Sequence, residues 1–374
     1  MELSEIVKRH GAEYVAKYGD KMLPSHKRAL AAIAACRTED LGGHLYQCDD
    51  GDCDHHRYSY HSCKHPSCPK CHTADTKRWL DKRRKELLPV PYFHVTCTLP
   101  QGLRRIVRQN QRILYPILMR TAAEALLKLG LDPKYVGGQL GILSVLHTWS
   151  RILDFHPHVH MLVPAGGLDK DGVWQPVKNK KFLVREKSLS RIFRAKFMAA
   201  AKKALPHETF PQELWKIDWV VKIKPPVRNP EKVLDYLGRY VHRIAISNSR
   251  ILALKDGMVT FRYQKSDTRE WKTTSLPALE FLRKFLQHVL PDRFHKVRYF
   301  GLWSPANKKR LKKVRQELRE KKGITEEPKE EAVSTTPNTL CPCCGKGKLV
   351  IVETLPKKAR SPPWQGMWKT EEQG

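Results

Sequence analysis

The segment His156-Pro157-His158-Val159-His160 sets a histidine at every second position. In an extended strand this puts the three imidazoles on one face and turns Val159, Met161 and Val163 to the other. Two imidazoles so placed can share a divalent cation, which would act as a Lewis acid on a phosphate oxygen and fix the phosphate for in-line attack. With 17 histidines in 374 residues, roughly one His-x-His arises by chance, so an exposed polar strand face is the competing reading. Further on, Tyr236 and Tyr240 stand four apart in Asp-Tyr-Leu-Gly-Arg-Tyr-Val-His-Arg, on one face of a predicted helix. Two packed core aromatics would share that spacing, but Arg239, His242 and Arg243 surround the pair and suit a phosphate-facing site better than a core stripe. A phenol, with a pKa near 10, attacks phosphorus when its proton can leave and the phosphate is activated. The product is a covalent 5′-phosphotyrosine and a free 3′ hydroxyl, and no nucleotide cofactor is needed.

A second chemistry resides in the cysteines. Six of the ten fall between Cys36 and Cys71 and three between Cys341 and Cys344, interleaved with histidines; in a reducing compartment such clusters read as metal sites. Cys48 and Cys53, with Cys68 and Cys71 of the Cys-Pro-Lys-Cys turn, supply four thiolates for a structural zinc site. Cys36, His44, His61, Cys63 and His65 offer a second site, or Cys63 replaces one of the first four. Cys341-Pro-Cys-Cys-Gly345 is half of a zinc ribbon, with Cys341 and Cys344 open to ligands from elsewhere in the chain. Cys97, inside an apolar alternation, reads as a small core residue.

These groups require a scaffold. Tyr92 to Pro100 alternates apolar and polar residues with period two; Gly141 to Trp149 and Phe155 to Pro164 read as further strands, and Trp219 to Lys224 as another short one. Helices are predicted over Leu3 to Tyr18, Thr76 to Leu88, Ile106 to Leu129, Ser188 to Leu205, Pro230 to about His242 and Leu276 to Leu290. Lys255-Asp256-Gly257 between two short strands is a hairpin signal. Strands joined by hairpins and interspersed with helices make an α+β fold with an antiparallel sheet. The expected divisions are a zinc-binding module over 1–89, a catalytic core over 90–305, a charged helix and linker over 306–338 and a cysteine-containing tail over 339–374.

The excess of 69 Lys and Arg over 38 Asp and Glu, a net charge of +31 spread along the chain, calls for a polyanionic partner, with nucleic acid first. Neither a membrane span nor a signal peptide is indicated, so a cytoplasmic location is expected.

The order of motifs resembles the HUH endonuclease superfamily, specifically the two-tyrosine rolling-circle transposases of the insertion sequence ninety-one family. The resemblance is carried by Leu146-His147-Thr148-Trp149, by His156 to His160 leading into Val163-Pro164-Ala165-Gly166-Gly167-Leu168, by Tyr236 through Asn248, and by Leu290-Pro291-Asp292-Arg293-Phe294-His295 to Gly301; it runs from about Gly42 to Leu302. It implies that His158 and His160 bind Mg2+ or Mn2+, that Tyr236 and Tyr240 cleave and rejoin single-stranded DNA at transposon ends and target, and that an N-terminal module holds Zn2+ through cysteines among Cys36, Cys48, Cys53, Cys63, Cys68 and Cys71. His147 is the choice for a third metal ligand, with His94 and His242 as competitors, and Arg239 and Arg243 are expected to contact DNA. A bacterial, DNA-associated protein follows, with a homodimer among the assemblies open to it. A rolling-circle replication initiator or relaxase shares the chemistry; a non-catalytic zinc-containing DNA-binding regulator is the reading from another class.

Overall fold

The computed structural model describes residues 1–71, 73–229, 232–233, 238, 245–265, 268–324 and 340–358. Its secondary structure is α+β and all of its strand pairs are antiparallel, as the sequence predicts. The chain divides into two compact units, each assembled from separated stretches: Ala74–Arg243 with Leu290–Lys329, and Met1–Thr73 with Ile244–Val289 and Glu330–Gly374.

The first of these is built on a sheet ordered Trp174–Pro176, Gly166–Leu168, Gln139–Trp149, Phe155–Pro164, Tyr92–Thr98, Val221–Val227, with Val297–Gly301 also pairing Gln139–Trp149. Alternation fixes its two faces. Phe93, Val95, Cys97, Val159, Met161 and Val163 are all fully buried on one side, against helices Gln111–Gly130 and Glu186–Ala204. The second helix offers Leu189, Phe193, Phe197 and Ala201 at intervals of four, and each such fully buried large side chain contributes about 1.5–3 kcal/mol. On the opposite face, Leu143, Val145 and Leu162 join Leu311, Val314 and Leu318 of helix Lys308–Glu320 in a second apolar cluster. Beyond that cluster, the same face carries the histidines.

Two local departures from the sequence expectation have clear causes. The helix expected over Ile106 to Leu129 is two helices, Arg104–Gln109 and Gln111–Gly130. Asn110 leaves helical geometry between them at φ −118°, ψ 39°, and its amide donates back to the Ile106 carbonyl and to Glu208. Strand Val221–Val227 continues through Pro225 and Pro226 because it is the outermost strand of the sheet, where a residue without N–H is tolerated.

In the other unit, helices Leu3–Tyr18 and Pro24–Ala35 pack together. A three-stranded sheet pairs Gly43–Cys48 with His56–Tyr60 on one side and Leu349–Leu355 on the other. A separate meander, Ile251–Lys255, Met258–Gln264 and Trp271–Pro277, turns at Asp256 and Gly257, both at positive φ, 49° and 72°, the conformation that Asp-Gly hairpins adopt. Among the described residues no helix is long and apolar enough to cross a membrane.

Candidate functional site

The histidine cluster arises from strand register. His158 lies directly opposite His147 on Gln139–Trp149, and His160 lies between Val145 on one side and Thr96 on the other. Opposed residues of antiparallel strands share a face, so His94, Thr96, His147, His158 and His160 converge. The ligand nitrogens of His147, His158 and His160 all lie within 4.8 Å of one another.

Hydrogen bonding selects which nitrogen each ring presents. His158 Nδ1 stands 2.6 Å from the His156 carbonyl oxygen, which can only accept, so Nδ1 carries the proton and Nε2 the lone pair. His160 Nδ1 is held 2.8 Å from His94 Nε2, and His160 Nε2 comes within 3.1 Å of His158 Nε2. Two imidazole nitrogens at adjacent positions around one divalent ion sit about 3 Å apart at metal–nitrogen distances near 2.1 Å. Burial drives His158 down to about 4 and His94 to about 3, and holds His160 well below its ordinary value, reinforced by its neighbouring histidines and Lys224. At neutral pH these imidazoles are uncharged, the form that binds metal. Trp149 stacks on His147 at 4.4 Å between ring centroids and restrains its orientation. The residues present fit a divalent ion.

His156, on the same strand, does something else: Arg104 donates to its Nδ1 at 2.8 Å. Sequence reasoning missed Lys222 and Lys224, which pair with Thr96 and His94 in register and therefore stand on the histidine face. Their signal was the alternation Val221-Lys222-Ile223-Lys224, in which Val221 joins the core while both lysines are exposed. Tyr236, Arg239, Tyr240, His242 and Arg243 lie outside the described residues.

The cysteines form two tetrads, and their pairing differs from the one expected. Cys68 and Cys71 join Cys36 and Cys63, whereas Cys48 and Cys53 join Cys341 and Cys344. The proposed set of Cys48, Cys53, Cys68 and Cys71 is therefore not brought together, and the histidines weighed for a second site are members of neither tetrad. In the first tetrad, Cys71 Sγ lies 3.6 Å from both Cys36 Sγ and Cys63 Sγ, near the edge of about 3.8 Å of a zinc–thiolate tetrahedron. Hydrogen bonds from Cys63 and Cys68 hold Cys36 low, and the same contact with Cys36 pushes Cys63 far up. A cation is what allows four such sulfurs to be thiolates together.

Residues 6–99 match the transposase zinc-binding domain, and residues 141–311, which include the histidine strand, match the family described as putative transposase. In class, then, this is a zinc-binding transposase, and its substrate is DNA. "Putative transposase y4qJ" of Sinorhizobium fredii is 37% identical over 94% of this chain and 95% of its own length. "Transposase for insertion sequence element IS801" of Pseudomonas savastanoi pv. phaseolicola is 31% identical over 73% of this chain and 68% of its own length. The chain belongs to the insertion sequence ninety-one family of transposases. No solved structure matches it.

Proposed function

We propose that this transposase nicks single-stranded DNA at transposon ends and transfers the strand through a 5′-phosphotyrosine, with the chemistry seated on the histidine face of the sheet. The observation that carries the reading is the convergence of His147, His158 and His160 nitrogens, with the His158 tautomer fixed by the His156 carbonyl. Those three residues would hold Mg2+ or Mn2+, which supplies a Lewis acid to the scissile phosphate. His94 orients His160, and Lys222 and Lys224 attract the phosphate backbone beside it. Tyr236 or Tyr240 attacks phosphorus and its phenolic proton leaves; the 3′ oxygen departs with the P–O electron pair, takes up a proton, and is kept for rejoining. Arg239 and Arg243 are assigned to the DNA strand. Cys36, Cys63, Cys68 and Cys71 hold a structural zinc ion in the zinc-binding domain.

Incubation with single-stranded oligonucleotides of an element end and Mn2+ tests this. Wild type is expected to give a covalent protein–DNA adduct, and Tyr236→Phe with Tyr240→Phe none. An adduct that survives the double substitution removes the tyrosines from the reaction; one that survives His158→Ala with His160→Ala removes the metal centre.

A further inference from the structure

The second cysteine tetrad joins Cys48 and Cys53, inside the residues 6–99 that match the zinc-binding domain, to Cys341 and Cys344, which that match does not cover. Cys48 ends one strand and Cys53 lies in the turn after it, while Cys341 and Cys344 stand in the knuckle that leads into strand Leu349–Leu355. Cys48 Sγ and Cys344 Sγ are 3.7 Å apart, and Cys53 Sγ and Cys341 Sγ are 3.8 Å apart. These separations match the edge of about 3.8 Å expected of a tetrahedral zinc–thiolate centre.

The backbone around the knuckle is shaped for thiolates. Cys343 N–H points at Cys341 Sγ at 3.4 Å and Gly347 N–H at Cys344 Sγ at 3.3 Å, donors that stabilise negative sulfur. Gly345 N–H closes the turn on the Cys341 carbonyl at 2.9 Å with φ 67°. At Gly347 a Cβ would stand 2.4 Å from Cys48 Sγ, so the chain passes too close to the sulfurs for any side chain. Cys48, Cys53 and Cys341 are buried.

Apolar packing does not account for this segment's attachment. Its cluster consists of the cysteines and Leu349 with Tyr46 beside them, while Val350, Ile351 and Val352 are exposed. Two or three buried side chains do not offset the ordering entropy of some fifteen residues at about 1–2 kcal/mol each. A closed metal site does, because metal affinity becomes folding free energy.

We propose that Cys48, Cys53, Cys341 and Cys344 hold a second structural zinc ion, which fastens the 341–355 segment to strand Gly43–Cys48. Full-length protein, dialysed to remove loosely held ions, would be titrated with a mercurial that modifies thiolates, and released zinc counted with a metallochromic dye. Two zinc ions per chain are expected, falling to one in Cys341→Ser with Cys344→Ser and to one in Cys36→Ser with Cys68→Ser. Cys344→His, which keeps a ligand, is expected to retain two. A wild type that releases one ion, lost in the Cys36/Cys68 variant and kept in the Cys341/Cys344 variant, overturns the proposal. One ion with the opposite dependence supports it and instead removes zinc from the Cys36 tetrad. If the Cys341/Cys344 variant does not fold, wild type decides by peptide mass mapping after alkylation: a Cys48–Cys344 or Cys53–Cys341 disulfide in place of the second ion overturns the proposal, and two ions with those four cysteines in thiol form support it.

Discussion

His94 Nε2 lies 2.8 Å from His160 Nδ1, with the two rings stacked at 5.0 Å between centroids. Each imidazole has one proton in its neutral form, so the contact needs one donor and one acceptor. If His160 donates, its Nε2 is left with a lone pair beside that of His158. In that arrangement His94 would act as a positioning residue that sets what His160 offers. Substitution His94→Ala is expected to weaken Mn2+ binding by about 10–100-fold, with adduct yield recovering as Mn2+ is raised. His158→Ala, which removes a proposed ligand, should not recover. Equal responses of the two variants to Mn2+ would count against separate roles.

The low proton affinities make a pH prediction whose sign is fixed. In the unfolded chain these histidines protonate near 6.5, whereas burial holds His158 at about 4 and His94 at about 3 in the fold. The contribution of their neutral forms to stability is complete above about 6.5 and is lost as pH falls from there toward 4 for His158 and toward 3 for His94. Without added divalent ion, the melting temperature of wild type should fall through that window more steeply than that of His158→Gln. The rise in melting temperature caused by Mn2+ should persist at pH 5.5, where ordinary imidazoles are about 90% protonated. A Mn2+ response that disappears with a midpoint at 6.5 would exclude the buried histidines as ligands.

Lys222 and Lys224 project from the outer strand on the histidine face. If each neutralises one phosphate of a single strand, Lys222→Ala with Lys224→Ala should reduce the magnitude of the salt slope, log K against log salt, by about 1.4. Binding should weaken by a similar factor for unrelated oligonucleotides. Fluorescence anisotropy at several salt concentrations measures both, and an unchanged slope would take these lysines off the DNA path.

Gly301 tests the packing of the histidine-bearing sheet. It sits at φ 60°, and a Cβ there would fall 2.0 Å from the Leu140 carbonyl oxygen and 2.7 Å from Leu127 Cδ2. Gly301→Ala is expected to cost more than about 2 kcal/mol, from left-handed strain plus a backbone clash that cannot relax. Gly172→Ala, at φ 79° with nothing within 4 Å, should cost only the strain of about 1 kcal/mol. Denaturant midpoints of the two variants separate the contributions.

The strand bearing the histidines was readable to the residue, Phe155–Pro164, because period-two alternation is strong there and the core face is uniformly apolar. From it followed the shared face of His158 and His160. The neighbours of that strand set the rest of the site, and register across strands is not written in local sequence: His147 opposite His158 was a choice among three, and the lysines opposite Thr96 and His94 were not seen at all. Gly43–Cys48, by contrast, carries no clean alternation, with intermediate burial through its middle, and was not read as a strand. The cysteine partners were illegible for a related reason. Spacing identifies which thiols sit in one turn, but Cys48 meets Cys344 across 296 positions, and only the pairing of Gly43–Cys48 with Leu349–Leu355 brings them together.

That pairing also imposes an order on biosynthesis. The last strand of the histidine-bearing sheet, Val297–Gly301, leaves the ribosome before Leu349–Leu355 exists. At about 5–20 residues per second, roughly 15–60 seconds separate the emergence of Cys48 from that of Cys341. Only after Gly301 has emerged and before Cys341 does, about 2–8 seconds at the same rate, does the sheet unit have its strands while the other unit lacks strand Leu349–Leu355 and two thiols of its second tetrad. A message cut short between codons 301 and 341 would therefore yield a chain that has the strands of the histidine face and lacks Cys341, Cys344 and the strand that pairs with Gly43–Cys48.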